Sequence, residues 1–284
     1  MSRPLAGMAA LVTGGGGGIG SASALALARD GAAVTLMGRT EETLEAAKAR
    51  LLGELDAGAV VHCIVGDATN AGDMERAADA AHALADGLRI CVATVGGGNG
   101  TTAPLLVLDE HMLLDVYNFN VVSAFLAMKY STPRMIESGG GSIVCISSVA
   151  ANATTPYLSS YVAAKAGLEA FVRVAAVELA TLGIRVNAVR PGNVASRPRS
   201  EAEIARGSQL AQRLPLKRIG VPVDIADGVR YLAGPESAWV TGQSYAIDGG
   251  SEIMPVAPPF DAIVRQKFGD AVIDAALSGK IPNR

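Results

Sequence analysis

Aromatic side chains are scarce in this sequence: Phe, Trp and Tyr make up 4% of its 284 residues, with a single Trp. Ala, Gly, Val and Leu dominate instead, a composition that suits small residues packed between helices and a parallel sheet. Cysteine is scarce too. Cys63, Cys91 and Cys145 stand far apart in the apolar runs VVHCIVG, RICVATV and SIVCISS. An odd number at wide gaps, with no metal-ligand spacing, argues against a disulfide framework and against a cysteine-held metal. Each reads as a thiol buried in a strand, which fits a reducing, cytoplasmic setting. Of the histidines, His62, His82 and His111, none stands in a His/Asp/Ser constellation, and no metal site is expected. A large charge excess is also missing. The net charge of −3 gives no broad basic footprint for nucleic acid. No stretch of about 18 uninterrupted apolar residues occurs, so no membrane span is expected. The start, MSRPLAGMAALV, faintly resembles a signal peptide. Its apolar run leads straight into a glycine loop, and cleavage there would remove a strand, so it reads as part of the fold.

What is present is an apolar chain, 50% hydrophobic, with a conspicuous glycine run in LVTGGGGGIGSA, Leu11 to Ala22. Glycine runs are often flexible connectors. Here a strand-like MAALV precedes the run and the helix-forming IGSASALALARDGA follows it. A strand entering a glycine loop that opens a helix is the context for binding a nucleotide phosphate. Short β-rich runs are expected at Ala9–Thr13, Ala33–Met37, Val60–Val65, Ile90–Val95, Ser142–Ser147, Ile184–Arg190 and Ser244–Ile247. Helical patterns lie between them at Ile19–Asp30, Glu41–Leu55, Asp73–Ala85, Glu110–Met135, Leu158–Leu182 and Pro222–Leu232. This alternation predicts an α/β, doubly wound Rossmann-type parallel sheet with helices on both faces, in a single domain over residues 1–250. Asn193–Leu214 breaks the rhythm and reads as a lid or loop over a site, or as a plain surface helix and loop. Residues 251–284 form an extension with a weak amphipathic pattern, expected to pack at the domain surface or a subunit interface.

In such a sheet ligands bind at the carboxyl ends of the strands. The glycine loop follows the first strand, and its N–H groups and the helix N-terminus favour a pyrophosphate. Gly38-Arg39-Thr40 follows the second strand. A cation and a hydroxyl there, in place of an acid, suit a 2′-phosphate, although a solvated surface Arg is the plainer reading. Asp67 follows the third. It can accept from an adenine amino group or cap the next helix. After the fifth strand, Tyr161 and Lys165 stand four apart in a helical pattern and so share a face. A nearby ammonium lowers a phenol's pKa towards the range useful for acid–base chemistry. On spacing alone such a pair is common.

The motifs taken together resemble the short-chain dehydrogenase/reductase family, and within it members like the 3-oxoacyl-acyl-carrier-protein reductases. TGGGGGIG resembles its T-G-x-x-x-G-x-G loop, and Tyr161 and Lys165 its Y-x-x-x-K. Ser148 lies where the family places its catalytic serine, and Asn120 in NFNVVSAF on its helix asparagine. IRVNAVRPGNV and WVTGQSYAIDGG resemble its segment after the sixth strand and its closing strand. The likeness runs from about Leu5 to Gly250. It implies hydride transfer between a nicotinamide cofactor and a carbonyl or secondary alcohol. Tyr161 would pass the proton, Lys165 would hold the nicotinamide ribose and depress the tyrosine pKa, Ser148 would orient the substrate oxygen, and Asn120 would hold a water in a proton relay. Cofactor contacts are implied at Gly14, Gly18, Ile19, Gly20, Arg39, Thr40, Asp67, Ala68, Gly96, Tyr161, Lys165, Pro191, Gly192, Val194 and Ser196, with NADP(H) preferred and NAD(H) possible.

The sequence departs from the family where N-N-A-G is usual after the fourth strand. Ala93-Thr94-Val95-Gly96 stands there, and two amide side chains that knit the sheet are gone. The extra glycines Gly97, Gly98 and Gly100 would let the backbone pass close to the cofactor. Ser147 competes with Ser148 for the catalytic place, though spacing favours Ser148. The lost amides are the best support for a rival reading, a catalytically silent NADP-binding sensor or scaffold. A second rival, an enoyl reductase of related fold, has a longer Tyr-to-Lys spacing. Pocket walls around Gly97–Thr102, Ala150–Leu158 and Asn193–Leu214 lean towards a fairly apolar carbonyl or alcohol substrate, with Arg197 or Arg199 available to an anionic group. The family usually forms dimers or tetramers, and the long middle helices carry many apolar positions. A homo-oligomer, a tetramer before a dimer, is therefore expected, with Phe260, Ile263, Val264, Phe268, Val272 and Ile273 of the extension available for burial.

Overall fold

The computed structural model describes residues 3–98, 102–153, 155–197, 200–254, 265–266 and 269–280. The chain divides into two compact units, Met1–Glu252 and Ile253–Arg284. Gly100, Pro198, Arg199, Phe260, Ile263, Val264 and Phe268 lie outside the described residues.

The first unit is built on one seven-stranded sheet: β1 Ala9–Thr13, β2 Ala33–Gly38, β3 Val61–Val65, β4 Leu88–Ala93, β5 Gly141–Ile146, β6 Ile184–Pro191 and β7 Ser244–Ile247. The strands run in the order β3-β2-β1-β4-β5-β6-β7, and every pairing is parallel. The inner strands are mainly apolar because both of their faces are covered. In β1, Leu11 packs on one side with Met74, Ala77 and Cys91. Its neighbours Ala10 and Val12 pack on the other with Ala24, Leu27 and Ile225. Alternate residues of one strand thus feed two cores. The first core lies under α3 (Ala71–His82), α4 (Glu110–Tyr117), α5 (Ser123–Glu137) and α6 (Ser159–Ala180). The second lies under α1 (Gly18–Arg29), α2 (Glu41–Glu54) and α8 (Pro222–Ala233).

The expected elements form, with differences that have local causes. β4 begins and ends two residues earlier than expected, at Leu88 and Ala93. Its register against β1 slips at Arg89, and Thr94 leaves the ladder to engage β1 through its side chain. Cys91 and Cys145 are buried as expected, but Cys63 is only half-buried, because β3 is an edge strand. The expected helix Glu110–Met135 is interrupted by a π-helical turn, Asn118–Val122, between α4 and α5. Asn193–Leu214 contains a helix, α7 Glu201–Arg213, started by Ser200 and Glu203 in a reciprocal capping box and carrying no buried residue. In the second unit, α9 (Asp270–Leu277) follows Gly269, and Arg265 pairs with Asp270 and Asp274.

The chain winds from β1 out to β3 and then returns to place β4 on the other side of β1. That reversal opens a crevice between the carboxyl ends of β1 and β4, the place where such sheets take ligands.

Candidate active site

A cavity of about 420 Å³ fills this crevice. Gly14, Gly16, Gly17, Gly18, Ile19 and Gly20 line it from the end of β1, Gly38, Arg39 and Thr40 from β2, Gly66, Asp67 and Ala68 from β3, and Thr94, Val95 and Gly96 from β4. The glycines are required by contact. Gly14 has φ +64°, and a Cβ on Gly20 would overlap the Gly14 carbonyl; one on Gly18 would overlap the Ser196 carbonyl. The first turn of α1 carries no acidic side chain and no side-chain cap, so its N–H groups stay open to an anion. A backbone cradle at a helix N-terminus, with a long crevice beside it, fits a dinucleotide.

Ten expected cofactor residues line the cavity: Gly14, Gly18, Ile19, Gly20, Arg39, Thr40, Asp67, Ala68, Gly96 and Ser196. Tyr161, Lys165, Pro191, Gly192 and Val194 do not. Gly192 packs against Asp248 so closely that a Cβ would lie 2.7 Å from the Asp248 Cα. Val194 lines two neighbouring cavities instead. Phe119 is a wall that residue patterns did not single out. The Arg39 guanidinium lies 5.9 Å from its ring centroid and is exposed, and no carboxylate among the described residues pairs with it. Glu41 and Glu42 are exposed outside the cavity. Asp67 does not cap α3. Its carboxylate accepts from the Thr69 N–H and hydroxyl, while Asn70 takes the cap by accepting from the Asp73 N–H at 3.0 Å.

Beyond Gly96 the cavity floor meets the catalytic candidates. A Cβ on Gly96 would lie 2.7 Å from both the Asn120 Oδ1 and the Lys165 Nζ. Asn120 is buried in the π-helical turn, a distortion often found at functional sites. Its Oδ1 accepts from the Gly97 N–H at 2.9 Å, and its Nδ2 donates to the Gly97 and Val116 carbonyls at 2.8 Å each. Asn120 therefore holds the chain leaving β4. Thr94 does the rest: its hydroxyl donates to the Thr13 carbonyl, and its N–H donates to the Thr13 hydroxyl at 3.2 Å. These contacts tie the segment after β4 to the end of β1 and to the π-helical turn.

Lys165 is 2% exposed, and its ammonium donates to the Ile146 carbonyl at 2.8 Å. Burial lowers its pKa to about 8, against the upward pull of Cys145 and Glu169. Tyr161 lies one turn earlier, with the Lys165 Nζ 5.8 Å from its ring centroid. The expected depression of the tyrosine pKa is not present in this geometry. Burial pushes the phenol up, and the Ser148 hydroxyl only partly opposes it, because the ammonium faces the Ile146 carbonyl and the ring. Ser148 caps a short turn at the end of β5, accepting from the Ala150 N–H at 3.1 Å. Ser147 points elsewhere and donates to the Glu169 carboxylate at 2.6 Å. Arg197 pairs with Glu203 at 2.6 Å beside a separate cavity.

The family model described as enoyl-(acyl carrier protein) reductase matches residues 14–252. An uncharacterized oxidoreductase of Mycobacterium tuberculosis is 35% identical over 85% of this chain and 90% of its own. The chain belongs to the short-chain dehydrogenase/reductase family. A cyclohexanol dehydrogenase of Acinetobacter is 32% identical over 88% of this chain and 96% of its own. Among solved structures, a 7α-hydroxysteroid dehydrogenase complexed with NADH and 7-oxo glycochenodeoxycholic acid superposes with a TM-score of 0.79, 29% identity and coverage of 88% of this chain and 96% of its own. This short-chain dehydrogenase/reductase is accordingly an NAD(P)-dependent oxidoreductase that moves hydride between a nicotinamide and a carbonyl or secondary alcohol. Among the described residues no helix is long and apolar enough to cross a membrane, and no group of three His, Cys, Asp or Glu side chains is placed to hold a metal.

Proposed function

We propose that residues 1–250 form a cytoplasmic catalytic domain in which Tyr161 passes the proton, Lys165 and Ser148 support it, and NADP(H) is preferred. The observation that carries the reading is the convergence of Gly96, Asn120 and Lys165 at the inner end of a dinucleotide-shaped crevice, with Tyr161 and Ser148 beside them. The nicotinamide supplies or takes the hydride when bound. Tyr161 gives its phenolic proton to the substrate oxygen during reduction and removes it during oxidation. Burial raises the Tyr161 pKa, so the phenol holds its proton at neutral pH. Ser148 donates to the same oxygen and fixes its direction. Lys165 remains charged below its pKa of about 8 and holds the nicotinamide ribose. Asn120 sets the course of the chain after β4 and offers Oδ1 to a water next to Lys165. Gly14, Gly18, Ile19 and Gly20 would cradle the pyrophosphate, Asp67 and Ala68 would border the adenine, and Pro191, Gly192, Val194 and Ser196 would hold the nicotinamide end. Arg39 and Thr40 would receive a 2′-phosphate.

The substrate class is a cyclic secondary alcohol or its ketone. Two proteins similar to this chain are named for such ring compounds, and exposed Leu105, Leu106, Val107 and Tyr157 offer apolar surface on the segments around Ala103 and Leu158. A homo-oligomer is supported by two apolar exposures of the first unit: Phe125, Val174 and Val177 on α5 and α6, and Trp239 with Tyr245 near β7.

The decisive measurement is turnover of cyclic ketones by Tyr161→Phe, with cofactor affinity measured in parallel. Loss of general acid–base catalysis is worth about 10²–10⁴ in rate. The variant should lose at least that much and still bind NADPH. Retention of more than about a tenth of the parent rate would remove Tyr161 from its role.

A further inference from the structure

Glu169 is a buried carboxylate that the proposed chemistry does not use. It stands on α6 one turn beyond Lys165, 7% exposed at its side chain. Its surroundings are fully occupied. Ser147 donates to Oε1 at 2.6 Å. Arg190 donates from Nε to Oε1 and from Nη2 to Oε2, both at 2.8 Å, in a planar two-point grip. The remaining Arg190 nitrogen donates to both oxygens of Glu252 at 3.0 Å. Ser244 of β7 also reaches Glu169. Two of these partners are next to something the site needs. Ser147 precedes Ser148 directly, and Arg190 precedes Pro191 and Gly192.

We propose that Glu169 is a positioning residue for this reaction: through Ser147 and Arg190 it locks the chain at the end of β5 carrying Ser148 and the end of β6 carrying Pro191 and Gly192 onto the catalytic helix, at the turn after Lys165. The inference rests on the assignment of Ser148, Tyr161 and Lys165 made above. A buried ion pair is a poor source of stability, since desolvation offsets much of the attraction. It is good at fixing geometry, because a two-point guanidinium contact tolerates one orientation. An apolar contact between α6 and β6 would allow the helix to slide by fractions of an ångström, and such slips are costly in rate.

The same carboxylate acts on Lys165 at a distance. The titratable groups that face Lys165 are Tyr161 and Glu169 on α6 and Cys145 on β5; the π-helical turn brings only Asn120, and α4 brings Tyr117 against Gly167 further along α6. Burial pushes the Cys145 thiol far up, so it stays neutral. Glu169 is the one carboxylate in this set, and its charge favours the ammonium. Removing that charge while leaving Arg190 in place lowers the Lys165 pKa further.

The test uses the full chain and four variants, with kcat for ketone reduction followed against pH, NADPH affinity by calorimetry, and Tm. Glu169→Gln keeps the shape and drops the charge. It should bind NADPH within about twofold of the parent, lose about tenfold or more in kcat, and show its alkaline limb at lower pH. Glu169→Asp keeps the charge and should keep the limb while still losing kcat. A role in folding alone would lower Tm and leave the limb of the folded protein in place. If Glu169→Gln folds and either its kcat or its limb matches the parent, the proposal is overturned. If it does not fold, Ser147→Ala decides, because it removes one hydrogen bond and leaves the ion pair whole. A severalfold drop in kcat at unchanged Tm then supports the proposal, and an unchanged kcat overturns it. Tyr161→Phe is the control: if it stays active, the site assignment itself falls, and this inference with it.

Discussion

Lys165 occupies a poor place for an ammonium. Burial brings its pKa from 10.5 to about 8, so the folded chain holds this proton less tightly than the unfolded chain. Between about pH 8 and 10.5 the unfolded state binds more protons, and stability from this residue rises with pH across that window. At neutral pH the buried charge therefore costs stability, about 3 kcal/mol on the scale of that pKa change. Lys165→Met should abolish turnover yet melt no lower than the parent at pH 7, with the difference shrinking above pH 10. A lower Tm for Lys165→Met at pH 7 would mean that the Ile146 hydrogen bond outweighs the cost of burial. Arg39 presents the converse case, an exposed cation resting over Phe119 with no carboxylate partner among the described residues. A charge-assisted contact is worth about 1.5–3 kcal/mol, or roughly ten- to hundredfold in affinity. Arg39→Ala should weaken NADPH by about that factor and leave NADH nearly unchanged. Equal affinity of the parent for both cofactors, measured by fluorescence titration, would reduce Arg39 to a surface charge.

At the scale of elements, the segment after β4 is where this chain departs from the usual family motif, and where its structure compensates. Thr94 and Thr13 exchange contacts across β4 and β1, and Asn120 reaches out of a π-helical turn to grip Gly97 on both sides. The loss of two amides is therefore no argument for a silent sensor, since the crevice stays walled. Thr94→Val keeps the shape and leaves the Thr13 carbonyl without its donor. It should cost about 1–3 kcal/mol in chemical denaturation and weaken cofactor binding. An unchanged midpoint and affinity would show that Asn120 alone holds this segment. α7 teaches the opposite lesson. Its start is fixed by a local capping box, but none of its residues is buried, so its polar sequence reads equally as loop or surface helix.

At the scale of the whole molecule, apolar side chains remain exposed on the first unit. Trp239 is 100% exposed and Val177 77%, although each would gain from leaving water. Light scattering should report a dimer or tetramer, and Val177→Glu should shift the mass downward if α5 and α6 form the contact. A monomeric parent would overturn the proposed assembly. A chain ending after Glu252 retains the Arg190 clamp and matches the boundary of the first unit. It should fold with unchanged Tm. A change in mass on this truncation would assign residues 253–284 to the interface.

The sequence by itself determined the order of strands and helices, because hydrophobic period and glycine or capping residues act over a few neighbours. It also determined much of the cradle, since Gly14 and Gly20 are demanded by backbone geometry within one turn, whereas Gly18 is demanded by the distant Ser196 carbonyl. Tyr161 and Lys165 share a face for the same local reason. Tertiary structure decided what depends on residues far apart in the chain. It turned Ser147 to Glu169 and brought Phe119 under Arg39. It also set the sign of the Tyr161 shift. A spacing of four residues puts a lysine near a tyrosine, but burial and the direction of the ammonium, fixed by the Ile146 carbonyl of β5, determine which charge state is favoured.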